Sequence, residues 1–168
     1  MIEITKDNFM EQRYDVFRKF SRQLAVLTAG TMEDFNSMTI GWGMLGNVWG
    51  HAPGITVYVS PSRYTWQFME KYDLFTVCFF DESRHADVMT LGTISGRDGD
   101  KIAHTSLTPA ALPGAVGFRE AELTLLCRKV YGAQFDSEKV PPQAKEMYKR
   151  FLPHYEYIGV IEDAFGKL

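Results

Sequence analysis

Two short runs in the first half of the chain combine residue types that can hold a phosphate and a flat ring. SPSRYT, residues 60–65, sets Ser60 or Ser62 as a cap ahead of a helix whose first turn Pro61 suits. A helix start leaves backbone N–H groups unpaired, which favours an anion. Ser62 and Thr65 add hydroxyl donors, and the Arg63 guanidinium can grip a phosphate through two parallel hydrogen bonds. NSMT, residues 36–39, offers Asn36 and Thr39 as donors and acceptors, with Met38 and nearby Trp42 as flat or apolar surface. The bland alternatives are a capped helix with a surface arginine, and turn residues such as Asn36 and Ser37 leading into a strand. Taken together, the two ends of residues 36–65 have the makings of a mononucleotide clamp.

The ring that suits NSMT is one with a donor and acceptor edge and a broad apolar face, as a flavin has. A third run, SGRDGDK at residues 95–101, puts Arg97 and Lys101 in a glycine-rich loop. As a solvated loop it needs no ligand, but a cation beside a flavin's pyrimidine end would stabilise the negative charge of the reduced ring. GWGMLG, residues 41–46, fits G-x-G-x-x-G, yet that fingerprint works only where the third glycine leads into a helix. Gly50, Pro53 and Gly54 follow and forbid one, so these glycines are read as bend points of a strand. His51, His85, His104 and His154 are scattered, with no i, i+4 pair and no cysteine at metal spacing, so no metal site is expected. No nucleophile and base set stands out either. Trp49 reads as core.

These residues need a frame. With 168 residues the chain is expected to form one domain, 1–168. The balance of 18 basic against 21 acidic residues, net −3, supplies no basic field to recruit nucleic acid. Cys78 and Cys127 lie on apolar runs and are expected as buried free thiols. No apolar run approaches the ~18 residues of a membrane span, and the first residues lack a basic-then-apolar pattern, so a cytoplasmic location is expected. Periodicity predicts a helix over 7–21, strands over 24–30, 37–43, 55–59, 75–80, 121–135 and 155–162, and a helix from Pro61 to about Asp73. Ser83 is placed to cap a helix that Gly92 stops, residues 92–113 read as mostly loop, Gly132 as a bend, and Pro141 and Pro142 as the opening of a helix carrying Met147, Phe151 and Leu152. Strands with a few scattered helices, without regular βαβ alternation, predict a mainly β fold whose antiparallel sheet closes into a helix-decorated barrel.

At these residues the sequence resembles the flavin reductase-like, FMN-binding split-barrel family, in its flavoredoxin-type branch. The similarity is carried by NSMTIGWG at 36–43, SPSRYTWQFMEKYDLFTVCFF at 60–80, GTISGRDGDKIAHTSLTP at 92–109, EAELTLLCRK at 120–129 and YIGVIE near the end. The resemblance implies a six-stranded Greek-key split β-barrel, a homodimer with FMN near the subunit interface, and electrons passing from NAD(P)H through the flavin to an acceptor; a carrier without direct nicotinamide oxidation is the alternative. It assigns Asn36, Ser37, Met38 and Thr39 to the flavin ring, Ser62, Arg63, Tyr64 and Thr65 to the phosphate, and Lys101 to the pyrimidine end. Ser60 departs from the pattern, because many relatives carry an arginine there, which lowers the expected grip on the phosphate. Residues 132–154 match no motif of the family and are where substrate selection is expected.

Overall fold

Alternation along two strands explains how the sheet becomes buried on both faces. In β5 (Leu74–Phe79), Phe75, Val77 and Phe79 enter one apolar cluster, while Cys78, with Phe80 just beyond the strand, enters a second. β1 (Ala25–Thr31) divides the same way, Ala25, Leu27 and Ala29 to the first cluster and Val26 to the second. Successive side chains of a strand point to opposite faces, so each face must find its own cover.

The computed structural model describes residues 4–167. Seven strands form one antiparallel sheet in the order β2-β1-β5-β8-β9-β4-β3, where β2 is Asp34–Ile40, β3 Gly43–Val48, β4 Ala52–Val59, β8 Leu123–Gln134 and β9 Tyr155–Phe165. Its two edge strands, β2 and β3, are consecutive in the chain and joined only through Gly41 and Trp42. The sheet therefore curls until its edges meet, closed by covalent chain with no ladder between β2 and β3 among the described residues. This is a split barrel. Leu27, Val57, Val77, Leu125 and Tyr157 fill its interior. The outer face of β1 and β5 is covered by α3 (His85–Thr93), through Val88 and Leu91, and by the small β6–β7 hairpin (Pro109–Leu112 and Ala115–Phe118), through Phe118. Both cysteines are buried free thiols. Among the described residues no helix is long and apolar enough to cross a membrane.

Several sequence expectations are corrected. The helix over 7–21 is instead a 3-10 turn (Phe9–Glu11), then α1 (Val16–Arg18) capped by the Asp15 carboxylate, running into a π turn (Lys19–Gln23). Pro61 lies in a turn closed by Arg63 N–H donating to the Ser60 carbonyl at 2.9 Å, and α2 (Tyr64–Lys71) begins three residues later with no side-chain cap. Asp81, not Ser83, caps the 3-10 turn ahead of α3. Gly92 stays inside α3, where a Cβ would sit 2.9 Å from that of Thr39, so its role is close packing on β2. Strand β3 escaped detection because its glycines interrupt alternation, and β6 and β7 because four residues carry too little pattern. The sheet consequently has seven strands where six were implied. The irregularities of β8 fall at Leu126/Cys127 and Lys129/Tyr131, not at Gly132, whose missing Cβ makes room for the Tyr157 ring. Trp49 is no core residue: it is 68% exposed, at φ +43° in the turn between β3 and β4.

Candidate functional site

β2 is an edge strand, so alternate backbone N–H and C=O groups along it point away from β1 and are open to another partner. Beside that edge stand the start of α2 and the end of α3. Asn36 Nδ2 donates to Thr65 Oγ1 at 2.7 Å, tying β2 to the first turn of α2, with both side chains buried. The Thr39 hydroxyl donates to the Val88 carbonyl, tying β2 to α3. Ser37 points to the outer face of the sheet, its hydroxyl 2.8 Å from that of Thr28, and its carbonyl accepts from Asn36 Nδ2 at 3.3 Å. Met38 packs partly against the barrel core.

Lys101 occupies the end of α3. Its ammonium donates to the carbonyls of Leu91 (2.9 Å) and Ile94 (3.3 Å), and the residue is 5% exposed. The last carbonyls of a helix lack intrahelical partners and carry partial negative charge, which holds a cation without a carboxylate. Burial, and secondarily the charge of Arg63, brings the Lys101 pKa down to about 8. An ammonium has three donors; two are used by these carbonyls. Arg63 itself makes no side-chain hydrogen bond or ion pair among the described residues. The absence of a side-chain cap on α2 leaves its first N–H groups available next to it.

Three recesses meet at Tyr64. A narrow cleft of about 30 Å³ is lined by Asn36, Met38, Thr39, Arg63, Tyr64, Thr65 and Lys101 together with Leu91, Gly92 and Ile94. On one side it adjoins a recess of about 620 Å³ that includes Asn36, Ser37, Gly96 and Lys101. On the other it adjoins one of about 510 Å³ containing Trp42, Ser60, Ser62 and Arg63. The fold thus brings all eleven residues singled out in the sequence to one surface, although Ser37 and Thr65 spend their hydroxyls on structural hydrogen bonds. Ser60 and Ser62 hydroxyls lie 2.8 Å apart and hold the turn before α2.

Sequence reasoning missed several lining residues. Arg97, noted only as a loop cation, donates to the Ser62 carbonyl at 3.2 Å and lies over the Tyr64 ring at 5.0 Å. Met147, Phe151 and His154 come from the 132–154 segment in which substrate selection is expected, although no residue there is singled out by the sequence as a site residue. Burial, with the Arg63 charge second, lowers the His154 pKa below the ordinary imidazole value. Gly96 has a packing reason legible only in three dimensions, since a Cβ there would lie 2.1 Å from Asn36 Oδ1.

These donors suit an anionic group on the Arg63 side and an acceptor-rich ring edge on the Lys101 side. A phosphate is matched by free N–H groups, hydroxyls and a guanidinium, and a ring edge by strand backbone and the remaining Lys101 donor.

Comparison with known proteins identifies the family of the chain. The profile of the flavin reductase like domain matches residues 17–137. No curated protein matches the sequence significantly. Among solved structures, the chain is similar to a flavoredoxin from Methanosarcina acetivorans, at 24% identity and TM-score 0.67 over 86% of this chain and 68% of that one. It is similar also to an FMN-binding protein from Thermus thermophilus, at 17% identity and TM-score 0.69 over 93% and 76%. The styrene monooxygenase flavin reductase from Pseudomonas putida S12 aligns at 16% identity and TM-score 0.62 over 86% and 79%. At such identities the neighbours speak for the shared split barrel; the profile match, which spans most of the chain, makes it a member of the flavin reductase like domain family.

Proposed function

We propose that this protein is an FMN-dependent oxidoreductase that passes electrons from NAD(P)H through bound flavin to a further acceptor. The observation that carries the reading is the pairing, in one cleft, of a buried Lys101 whose ammonium donates to two helix-end carbonyls with an Arg63 that has no side-chain partner among the described residues. Bound FMN supplies a ring that accepts a hydride and releases electrons singly or in pairs. Asn36, Ser37, Met38 and Thr39 would border the ring along the β2 edge, with Trp42 as aromatic surface. Ser60, Ser62, Arg63, Tyr64 and Thr65 would hold the phosphate at the start of α2. Lys101 would place its positive charge where the ring gains negative charge, an electrostatic contribution that needs no proton transfer by a side chain. The assembly is proposed to be a homodimer, for which exposed Met44 and Trp49 on and beside the β3 edge supply apolar surface; light scattering tests it.

The flavoredoxin among the structural neighbours favours a second reading, a bound-FMN electron carrier that does not react with nicotinamides. Purified protein incubated with FMN and desalted should be yellow under either reading, and a colourless protein that takes up no FMN rejects both. Anaerobic mixing with NADH or NADPH then separates them. Rapid bleaching of the flavin supports the reductase, whereas bleaching only by dithionite supports the carrier.

A further inference from the structure

The two mouths of the barrel are plugged by different means. At the Phe75 end of β5, α2 packs into the core through Phe68 and Met69, and Lys129 of β8 donates to the Met69 carbonyl. At the opposite end the plug is the N-terminal strap, whose Phe20 ring meets Phe79 edge-on at 5.4 Å. Phe9 is buried beside it, with Tyr14 and Val16 packed against the same core. The strap is a succession of short turns, 3-10, α and π, in place of a continuous helix. It enters β1 through Leu24 at φ +62° and ψ 165°, a conformation that costs a non-glycine residue about 1–3 kcal/mol. Such a plug is held less rigidly than α2.

Between the strap and the barrel lies a recess of about 260 Å³. It shares no lining residue with the three recesses around Tyr64. Its floor is the barrel interior: Leu123 and Leu125 are each 1% exposed and Ile161 7%. Val16 of the strap and Leu45 of β3, both partly buried, form facing walls. Met10, 62% exposed, stands at the mouth, where a flexible thioether adapts to what it covers.

The lining selects against charge. No acid, lysine, arginine or histidine contributes to it, so an ion entering it would lose water with nothing in exchange. The Tyr14 hydroxyl is committed to the Phe9 carbonyl at 2.8 Å. Only Asn47, exposed at the rim, adds another polar side chain. An apolar cavity of about 150 Å³ holds benzene, so this one has room for two fused rings.

We infer that this recess is a binding site for a small neutral ring molecule, of one or two rings with at most one hydrogen-bonding group. The rings would lie on Leu123, Leu125 and Ile161, and the polar group would face Asn47. The inference is independent of the FMN reading, because the two sites sit at separate places in the barrel and share no residue.

Flavin-free and FMN-loaded protein are each titrated calorimetrically with indole and with indole-2-carboxylate. Indole should bind one per chain, with the same affinity in both forms, and the carboxylate at least about tenfold more weakly. Val16→Phe fills the recess and should weaken indole by about tenfold or more while FMN uptake is unchanged; Leu45→Phe repeats the test if that variant fails to fold. Met10→Ala, at an exposed position, should weaken indole several-fold. A chain that takes up no FMN fails the cofactor reading and still answers this one. Absence of saturable indole binding overturns the inference, as does indole that FMN displaces, that the carboxylate matches in affinity, or that these substitutions leave unaffected. Light scattering covers the remaining occupant: loss of a dimer in Val16→Phe, with no indole bound by the wild type, makes the recess a seat for a second copy of the chain and overturns the inference too.

Discussion

Asn36 Nδ2 donates to Thr65 Oγ1 across 2.7 Å, joining the edge strand of the barrel to the first turn of α2. The two residues belong to different runs of the sequence and would serve different parts of a ligand, yet they form one buried unit. Any force that shifts the start of α2 is therefore transmitted to β2.

Thr65→Val should remove that acceptor and leave the buried Asn36 amide short of a partner, at a cost of about 1–3 kcal/mol. Urea denaturation of the single variants and of the Asn36→Ala/Thr65→Val double variant measures it. The double variant should be less destabilised than the sum of the singles by about 0.5–3 kcal/mol, and strict additivity would show that the bond contributes nothing.

Gly96→Ala should be costly although the loop around it is partly exposed. A Cβ would stand 2.1 Å from Asn36 Oδ1 and 3.1 Å from Tyr64 Cδ1, and Asn36 cannot swing aside without giving up Thr65. The expected penalty is about 1–3 kcal/mol, together with a loss of FMN affinity. Thermal unfolding and flavin titration report the two effects, and wild-type values in both would remove Gly96 from the account.

Lys101 predicts a pH dependence whose sign is fixed by its environment. Its pKa falls from the ordinary lysine value of 10.5 to about 8 in the folded chain. Below pH 8 the ammonium is charged in both states and its burial penalty is fully present. Between about 8 and 10.5 the unfolded chain binds more protons, so stability from this group rises with pH, by about 3 kcal/mol in all. The difference in unfolding free energy between wild type and Lys101→Met should follow that window. FMN affinity should behave oppositely, falling above pH 8 as the free protein loses the charge that meets the ligand, and Lys101→Met should be flat.

Arg63→Ala should weaken FMN roughly ten- to a hundredfold, the loss of a charged hydrogen bond worth about 1.5–3 kcal/mol. Riboflavin, which lacks the phosphate, should bind almost as before. Equal losses for both ligands, measured by fluorescence quenching, would move Arg63 away from the phosphate.

The sequence by itself determined the strands that alternate or run apolar, FTVCFF above all, because side-chain period and burial on two faces are written locally. It also supplied the chemical types of the clamp, since a hydroxyl- and arginine-rich helix start and a short run of hydrogen-bonding residues can be recognised without knowing where they lie. It misplaced Trp49, whose size suggests burial and whose turn conformation keeps it outside. Only the tertiary structure decided that β2 and β3 are the two edges of one sheet meeting at Gly41 and Trp42, which leaves β2 as an edge strand. It alone set Lys101 against the last carbonyls of α3 and His154 against Trp42. Those relations join residues far apart in the chain through packing of whole elements, and no local period encodes such a distance.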